Sequence, residues 1–433
     1  MNSTSCCEEF EHAAALSRRR FLGGMAAGAG LAVTSSVFGD VFRQAAFGVT
    51  SGNNVLVVIS LRGGVDGLSV VVPHFEDNYR ALRPGIAVPT ESLLARDSSF
   101  GLHPEMAPLL PFWTTNKLAA VQAVGLKVPD RSHFSAMEIV EDADPGSSVR
   151  SGWINRTIGL DSDAFPTEAV QFGTSIVPTA LSGRAPALAT PSIKELYLAG
   201  ANPEWDDLEW MNRRRTQLET VWGGVKGSLG VAARSALATV EQLAPFRAEI
   251  YTPHNGVTYP DDWPAGDLSD ALKNTAQLIR ADVGTEVVAI DYGSWDMHTD
   301  IGTLEWGDMQ SMLGGFAKAL AAFLTDLGDT GDRVTVVTIS EFGRRVEVNG
   351  GGGVDHGWGN MMLVAGGGVK GGQYYGSWPG LRDQDLEEGD LKVTTDYRNV
   401  LAEIVKSRFN RTEASVFPGL TYQPLNLMNP WIG

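Results

Sequence analysis

Asn54-Val55-Leu56-Val57-Val58-Ile59-Ser60-Leu61, running into Arg62-Gly63-Gly64, is the stretch whose reading decides the fold. The run is apolar and β-branched without a polar alternation, so it predicts a strand buried on both faces, as in a parallel sheet covered by helices. The glycine pair ends it. Four later runs repeat the pattern: Leu118 to Val124, Glu286 to Asp291, Arg333 to Ile339 and Met361 to Ala365. Between them lie helical stretches. Pro104 to Thr114 has apolar residues at helical spacing, Leu208 to Phe246 is long with two glycine interruptions, and Leu268 to Asp282 and Met309 to Leu327 are amphipathic at the 3.6 period. Strands alternating with helices predict an α/β fold, a doubly wound, mainly parallel sheet flanked by helices. The least sheet-like portion, 145–265, reads as a helical insertion or cap.

The amino-terminal end reads as a targeting segment. Ser17-Arg18-Arg19-Arg20-Phe21-Leu22 matches the core of a twin-arginine signal at every fixed position, and a Gly/Ala-rich stretch without charge follows to Gly39. That stretch is too weakly apolar for a membrane span, which needs about 20 strongly apolar residues. Residues 1–46 are therefore expected to be a signal peptide and linker, with one α/β domain over 54–433. The expectation is export by the twin-arginine translocase to the periplasm or the outside of the cell, with no stable membrane span in the mature chain.

Loss of the first 39 residues removes three arginines and three glutamates, so the net charge of −17 is unchanged. So acidic a surface argues against a nucleic-acid partner. Both cysteines, Cys6 and Cys7, lie in the same segment. The mature chain then has no disulfide, no thiolate metal ligand and no cysteine nucleophile.

Polar clusters follow the predicted strands at the end where open α/β sheets bind ligands. They are Arg62-Gly63-Gly64-Val65-Asp66-Gly67, Asp130-Arg131-Ser132-His133-Phe134, Asp291 to His298, and Ser340-Glu341-Phe342-Gly343-Arg344-Arg345 continuing to Asp355-His356-Gly357. The run Gly350-Gly351-Gly352-Gly353 reads as a mobile loop beside a site. An aspartate after a strand is commonly a cap or turn residue, and a lone histidine is commonly structural. Four such clusters at one end of successive strands instead point to a divalent metal centre of carboxylates and imidazoles. Zinc comes first, with manganese, magnesium and calcium as alternatives. Arg131, Arg156, Arg344 and Arg345 are candidate contacts for an anionic group. Trp153, Trp295 and Trp358 lie beside the motifs, either packing the core or forming a stacking surface for sugars.

The motifs LRGGVDGL, RSHF, GSWDMHTD, SEFGRR and VDHGWGN together resemble the twin-arginine-exported family called domain of unknown function 1501, grouped with the alkaline phosphatase and sulfatase superfamily. The resemblance runs from about Val55 to the carboxyl terminus and implies an alkaline-phosphatase-like fold. It also implies Asp66, Asp296, His298, Glu341 and His356 as metal ligands and Ser132 as the nucleophile; of the candidate arginines, Arg344 is the one expected to act as a catalytic anion contact. The superfamily's Asp-His pair reads Glu341-Phe342 here. A carboxylate is kept and an imidazole lost, with His133 or Asp355 as candidates to replace it. The expected activity is metal-dependent hydrolysis of a small phosphate or sulfate ester or of a polysaccharide ester. The alternative is a non-catalytic, glycan-binding protein on the same fold. The absence of a mature cysteine excludes a sulfatase whose formylglycine is made from cysteine.

Overall fold

The computed structural model describes residues 54–147, 151–159, 165–198 and 207–430. The twin-arginine motif and both cysteines lie outside the described residues.

Eleven strands are described, in chain order β1 Val55–Leu61, β2 Val71–Val72, β3 Gly101–Leu102, β4 Leu118–Gly125, β5 Ala169–Phe172, β6 Leu188–Thr190, β7 Val287–Tyr292, β8 Val334–Ile339, β9 Asn360–Gly366, β10 Tyr374–Tyr375 and β11 Thr395–Asp396. Nine form the main sheet, in the order β10-β4-β9-β8-β1-β7-β5-β6 with β11 also on β4. The sheet is mixed and mainly parallel. β9 runs antiparallel to both β4 and β8, while β1 is parallel to β7 and β8, and β5 to β6 and β7. All five runs picked out by their apolar character are strands of this sheet.

β1 occupies its middle, paired as Val57↔Val288 on one side and Val57↔Val336 on the other. Every residue of β1 is buried, which explains why its sequence does not alternate. Residues of this kind contribute about 1.5–3 kcal/mol each on full burial, so a charge at Val57 would break the sheet at its centre. Two helices, α1 His133–Asp142 and α6 Tyr397–Phe409, cover one face. Leu56 and Val58 share a core there with Met137 and Val140 of α1 and Leu401, Ile404 and Val405 of α6. α4 Gly266–Ala281 packs on β7 and against α5 Asp308–Leu327, and the two form the other layer.

The segment 145–265 contributes strands as well as helices, because β5 and β6 extend the sheet beyond β7. A second compact unit comprises the described residues between 196 and 242. The two glycine interruptions appear as the break between α2 Leu208–Gly223 and α3 Ser228–Ala248. Within that unit Arg234 donates to the carbonyls of Trp222 and Val225, which ties α3 to the end of α2 and the turn after it. Among the described residues no helix is long and apolar enough to cross a membrane.

The topology fixes where chemistry can occur. The antiparallel course of β9 brings its amino end to the edge where β4, β8, β1 and β7 have their carboxyl ends. Five adjacent strands therefore deliver His133, His356, Glu341, Arg62 and the pair Asp296 and His298 to one edge of the sheet.

Candidate metal centre

α1 starts immediately beyond β4. Asp130 accepts from the Ser132 backbone N–H at 2.9 Å and from the Ser135 hydroxyl at 2.6 Å, which organises the first turn. Ser132 holds the N-cap position without a capping bond from its own side chain. The next residue, His133, is the one that reaches the edge of the sheet. From there α1 lines a cavity of about 900 Å³ with His133, Phe134, Met137, Glu138 and Glu141, one face of the helix at i, i+1, i+4, i+5 and i+8. The same cavity is lined by Arg62, Asp291, Asp296 and Glu341, and by Ile176 and Val177 of the segment after β5. Ser132 is not among its lining residues.

The loop after β1 and the loop after β7 press together, which accounts for the glycine after Arg62. Gly63 has φ +112°, and a Cβ there would stand 2.6 Å from the Asp296 backbone nitrogen. The connection from β8 to β9 folds back as a ribbon, with Arg345 donating its N–H to the Asp355 carbonyl and Gly357 to the Gly343 carbonyl, both at 2.9 Å. This return places His356 beside Glu341. The glycine run at 350–353 is tied down at the site. Asn349 donates to the His298 carbonyl, and a Cβ on Gly353 would meet the His298 carbonyl carbon at 2.3 Å.

Three imidazoles surround one carboxylate oxygen. The Nε2 atoms of His298, His356 and His133 lie 3.1, 3.4 and 3.6 Å from Asp296 Oδ1, and those of His298 and His356 are 2.9 Å from each other. One ligand atom each of His133, Asp296 and His356 all fall within 4.8 Å of one another. Each ring is held through its other nitrogen. His133 Nδ1 is 2.8 Å from Glu341 Oε1, His298 Nδ1 is 2.8 Å from Asp355 Oδ1, and His356 Nδ1 is 2.8 Å from the Arg131 carbonyl oxygen. Carbonyls and ionised carboxylates only accept, so each Nδ1 carries a proton, and a neutral ring in this orientation points its Nε2 lone pair inward. Three lone pairs and a carboxylate oxygen then converge on one place, an arrangement that calls for a cation. His133 Nε2 is buried without a hydrogen-bond partner. Imidazoles oriented from behind by carboxylates and a carbonyl are the usual outer shell of a metal site.

The electrostatics agree. Burial alone would raise the Asp296 pKa, but the facing His133 and His356 rings and the Arg344 guanidinium hold it well below the usual carboxylate range. The neighbouring Asp296 and Glu341 carboxylates push His133 up to about 9 against the opposing effect of burial, so metal binding at its Nε2 would displace a proton. Asp355 is held low by Asn349 and His298. The Asp296 side chain keeps 47% exposure, so the centre is open to the cavity.

The expected residues divide into groups. Asp296, His298 and His356 meet as donors. Glu341 stands behind His133, its Oε1 also taking the Gly63 N–H at 2.8 Å and its Oε2 the Ser340 hydroxyl at 3.0 Å. Asp66 does not join them. Its two oxygens take Arg83 Nη1 at 2.6 Å and Nη2 at 2.9 Å, and the Ser69 hydroxyl adds a bond at 2.5 Å. With Asp66 1% and Arg83 0% exposed, this is an internal ion pair, and the expectation of a metal ligand at Asp66 is corrected on that ground. Arg344 is buried and fully engaged. It donates to the carbonyls of Gly63, Gly64, Val354 and Trp295, and to Asp296 Oδ1 at 2.5 Å. It positions Asp296, and with its side chain 0% exposed it does not line the cavity. Trp153, Trp295 and Trp358 are buried, so they pack the core and do not form a stacking surface. Phe342, in the place of the missing imidazole, packs against the rings of His133 and His356, each centroid 4.8 Å away.

Residues 273–412 match the family model described as "Protein of unknown function (DUF1501)", a stretch that holds Asp296, His298, Glu341, Arg344 and His356 but not Arg62 or His133. No curated protein matches the sequence. Among solved structures, the chain is similar to the carboxyl-terminal periplasmic domain of EcEptC from Escherichia coli, in complex with Zn, at 10% identity and a TM-score of 0.31, over 76% of this chain and 77% of that one. It is similar to the alkaline phosphatase from the Antarctic bacterium TAB5 at 8% identity and a TM-score of 0.29, over 74% and 95%. It is also similar to a protein in the alkaline phosphatase superfamily from Vibrio parahaemolyticus at 12% identity and a TM-score of 0.30, over 78% and 67%.

Proposed function

We propose that this chain is an exported, divalent-metal-dependent hydrolase of phosphate or sulfate esters, with His133, His298, His356 and Asp296 as the metal ligands. The observation that carries this reading is the convergence of three Nε2 lone pairs on Asp296 Oδ1, with every Nδ1 already committed to an acceptor. Three imidazoles and one carboxylate suit zinc best. When bound, a divalent cation there would act as a Lewis acid on an ester oxygen and lower the pKa of water.

The residues of the chain have separable tasks. Glu341, Asp355 and the Arg131 carbonyl orient the rings, and Arg344 fixes Asp296. Phe134, Ile176 and Val177 give the cavity an apolar wall. The cavity lining favours attack by water over attack by the Ser132 hydroxyl. Export rests on the motif at residues 17–22.

The test is metal analysis of the purified mature protein together with turnover of aryl phosphate and aryl sulfate. Stoichiometric metal is expected, with metal and turnover both lost in Asp296→Asn and His356→Ala and retained in Ser132→Ala. A protein that takes up no divalent metal after chelation and reconstitution would sink the reading. Metal without turnover of either ester would remove the substrate class. Turnover abolished in a folded, metal-loaded Ser132→Ala would restore the serine as nucleophile.

A further inference from the structure

Three carboxylates of the cavity wall remain after the metal ligands and their partners are accounted for, Glu138, Glu141 and Asp291, and one guanidinium serves the last two. Arg62 Nε donates to Asp291 Oδ1 at 2.9 Å and Nη2 donates to Glu141 Oε1 at 2.5 Å. The backbone of Arg62 is pinned at the edge of the sheet. Its N–H donates to the Tyr292 carbonyl at 2.9 Å and its carbonyl accepts from the Trp295 N–H at 3.1 Å. The head group is thus oriented before any ligand arrives, which lowers the entropic cost of using it. Its Nη1 has no partner among the described residues, and the side chain keeps 29% exposure. Among the cavity-lining residues, Arg62 alone is permanently cationic, set against Glu138, Glu141, Asp291, Asp296 and Glu341.

We propose that Arg62 is the second cation of the cavity: it holds the Asp291 and Glu141 carboxylates that a second metal ion would need, and it offers Nη1 to a tetrahedral oxyanion on the substrate. The proposal rests on the metal-centre reading above and adds stoichiometry and recognition to it. A second divalent ion would have to displace a guanidinium that makes two charge-assisted hydrogen bonds in a partly desolvated place. The centre therefore takes one ion. Arg62 then supplies the positive charge that a second ion would have supplied, in the form suited to phosphate and sulfate oxygens. Phe134 and Ile176, 67% and 75% exposed, line the same cavity and offer apolar surface to an aryl or alkyl group on that substrate.

The test uses the full mature chain, stripped by chelation and titrated with zinc, followed by calorimetric titration of the zinc-loaded protein with inorganic phosphate and with inorganic sulfate. The expected result is one zinc per chain and binding of at least one of the two anions. Arg62→Met, loaded with one equivalent of zinc, is expected to bind that anion at least ~10-fold more weakly, as loss of a charge-assisted contact implies, and it frees Asp291 and Glu141 to take a second zinc at higher concentration. Arg62→Lys keeps the charge that Asp291 and Glu141 need. It loses the planar fork and is expected to weaken anion binding ~3-fold or more. Two zinc ions per wild-type chain, no binding of either anion, or anion binding unchanged in both variants would each overturn the proposal and leave the metal centre standing. No zinc at all overturns the metal centre and this proposal with it.

Discussion

His298 Nε2 and His356 Nε2 lie 2.9 Å apart while their Nδ1 atoms face a carboxylate and a carbonyl. Two neutral rings so oriented set lone pair against lone pair, at an energetic cost that a shared cation removes. Zinc binding is therefore expected to stabilise the fold by mass action, about 2.7 kcal/mol at a free concentration 100 times the dissociation constant. Thermal melts with and without zinc check this. The increment should disappear in His356→Ala.

Glu341 touches the centre through His133, whose Nδ1 it holds. Glu341→Gln should keep the fold and weaken zinc binding by about 10–100-fold, the usual cost of losing an orienting partner. Competition against a zinc chelator measures it. Zinc affinity equal to that of the wild type would show that His133 is oriented by its packing against Phe342 alone.

Asp66 and Arg83 are paired inside the protein. Asp66→Asn leaves the guanidinium buried without its counter-charge, and about 3–5 kcal/mol of stability should be lost, by analogy with other broken buried pairs. The zinc content of the folded variant should not change. Denaturant unfolding and metal analysis on one sample separate this structural role from a ligand role.

His103 is buried, and its Nδ1 accepts from the Glu105 N–H at 3.1 Å, capping the turn that opens at Pro104. Burial lowers its pKa from 6.5 to about 4. Above the unfolded value neither state carries the proton. Between 6.5 and 4 only the unfolded chain binds it, so stability falls as the pH drops through that window. The loss is on the order of 3 kcal/mol and levels off once the folded form is protonated as well. Denaturation midpoints across this range should show the fall, and His103→Gln should remove that part of it.

The sheet was legible because its strands are buried on both faces, which writes each of them as an uninterrupted apolar run. Val55 to Leu61 is the clearest, and the runs at 118, 286, 333 and 361 follow it. β5 and β6 were not legible. They are four and three residues long, and their place in the sheet comes from the pairing of β5 with β7, a contact remote in the chain, and of β6 with β5. The candidate donors Asp296, His298 and His356 stood out because imidazoles and carboxylates after strands have few structural uses in combination. His133 was harder to assign, since Ser132 beside it has the chemistry of a nucleophile and only the helical phase of α1 decides which of the two faces the cavity.

The sequence by itself determined the kind of fold and the chemical types of the donors, because hydrophobic periodicity and residue type are local properties of the chain. Which carboxylate meets which cation was decided by tertiary structure alone. Asp66 and Asp296 both follow central strands and look alike in the chain. Arg83 closes around the first, while Arg344 and three imidazoles frame the second. The direction of β9 was equally invisible, yet it is what returns His356 to the edge shared with His298. Such pairings join residues up to hundreds of positions apart, and their energies exist only once the sheet has brought its edges together.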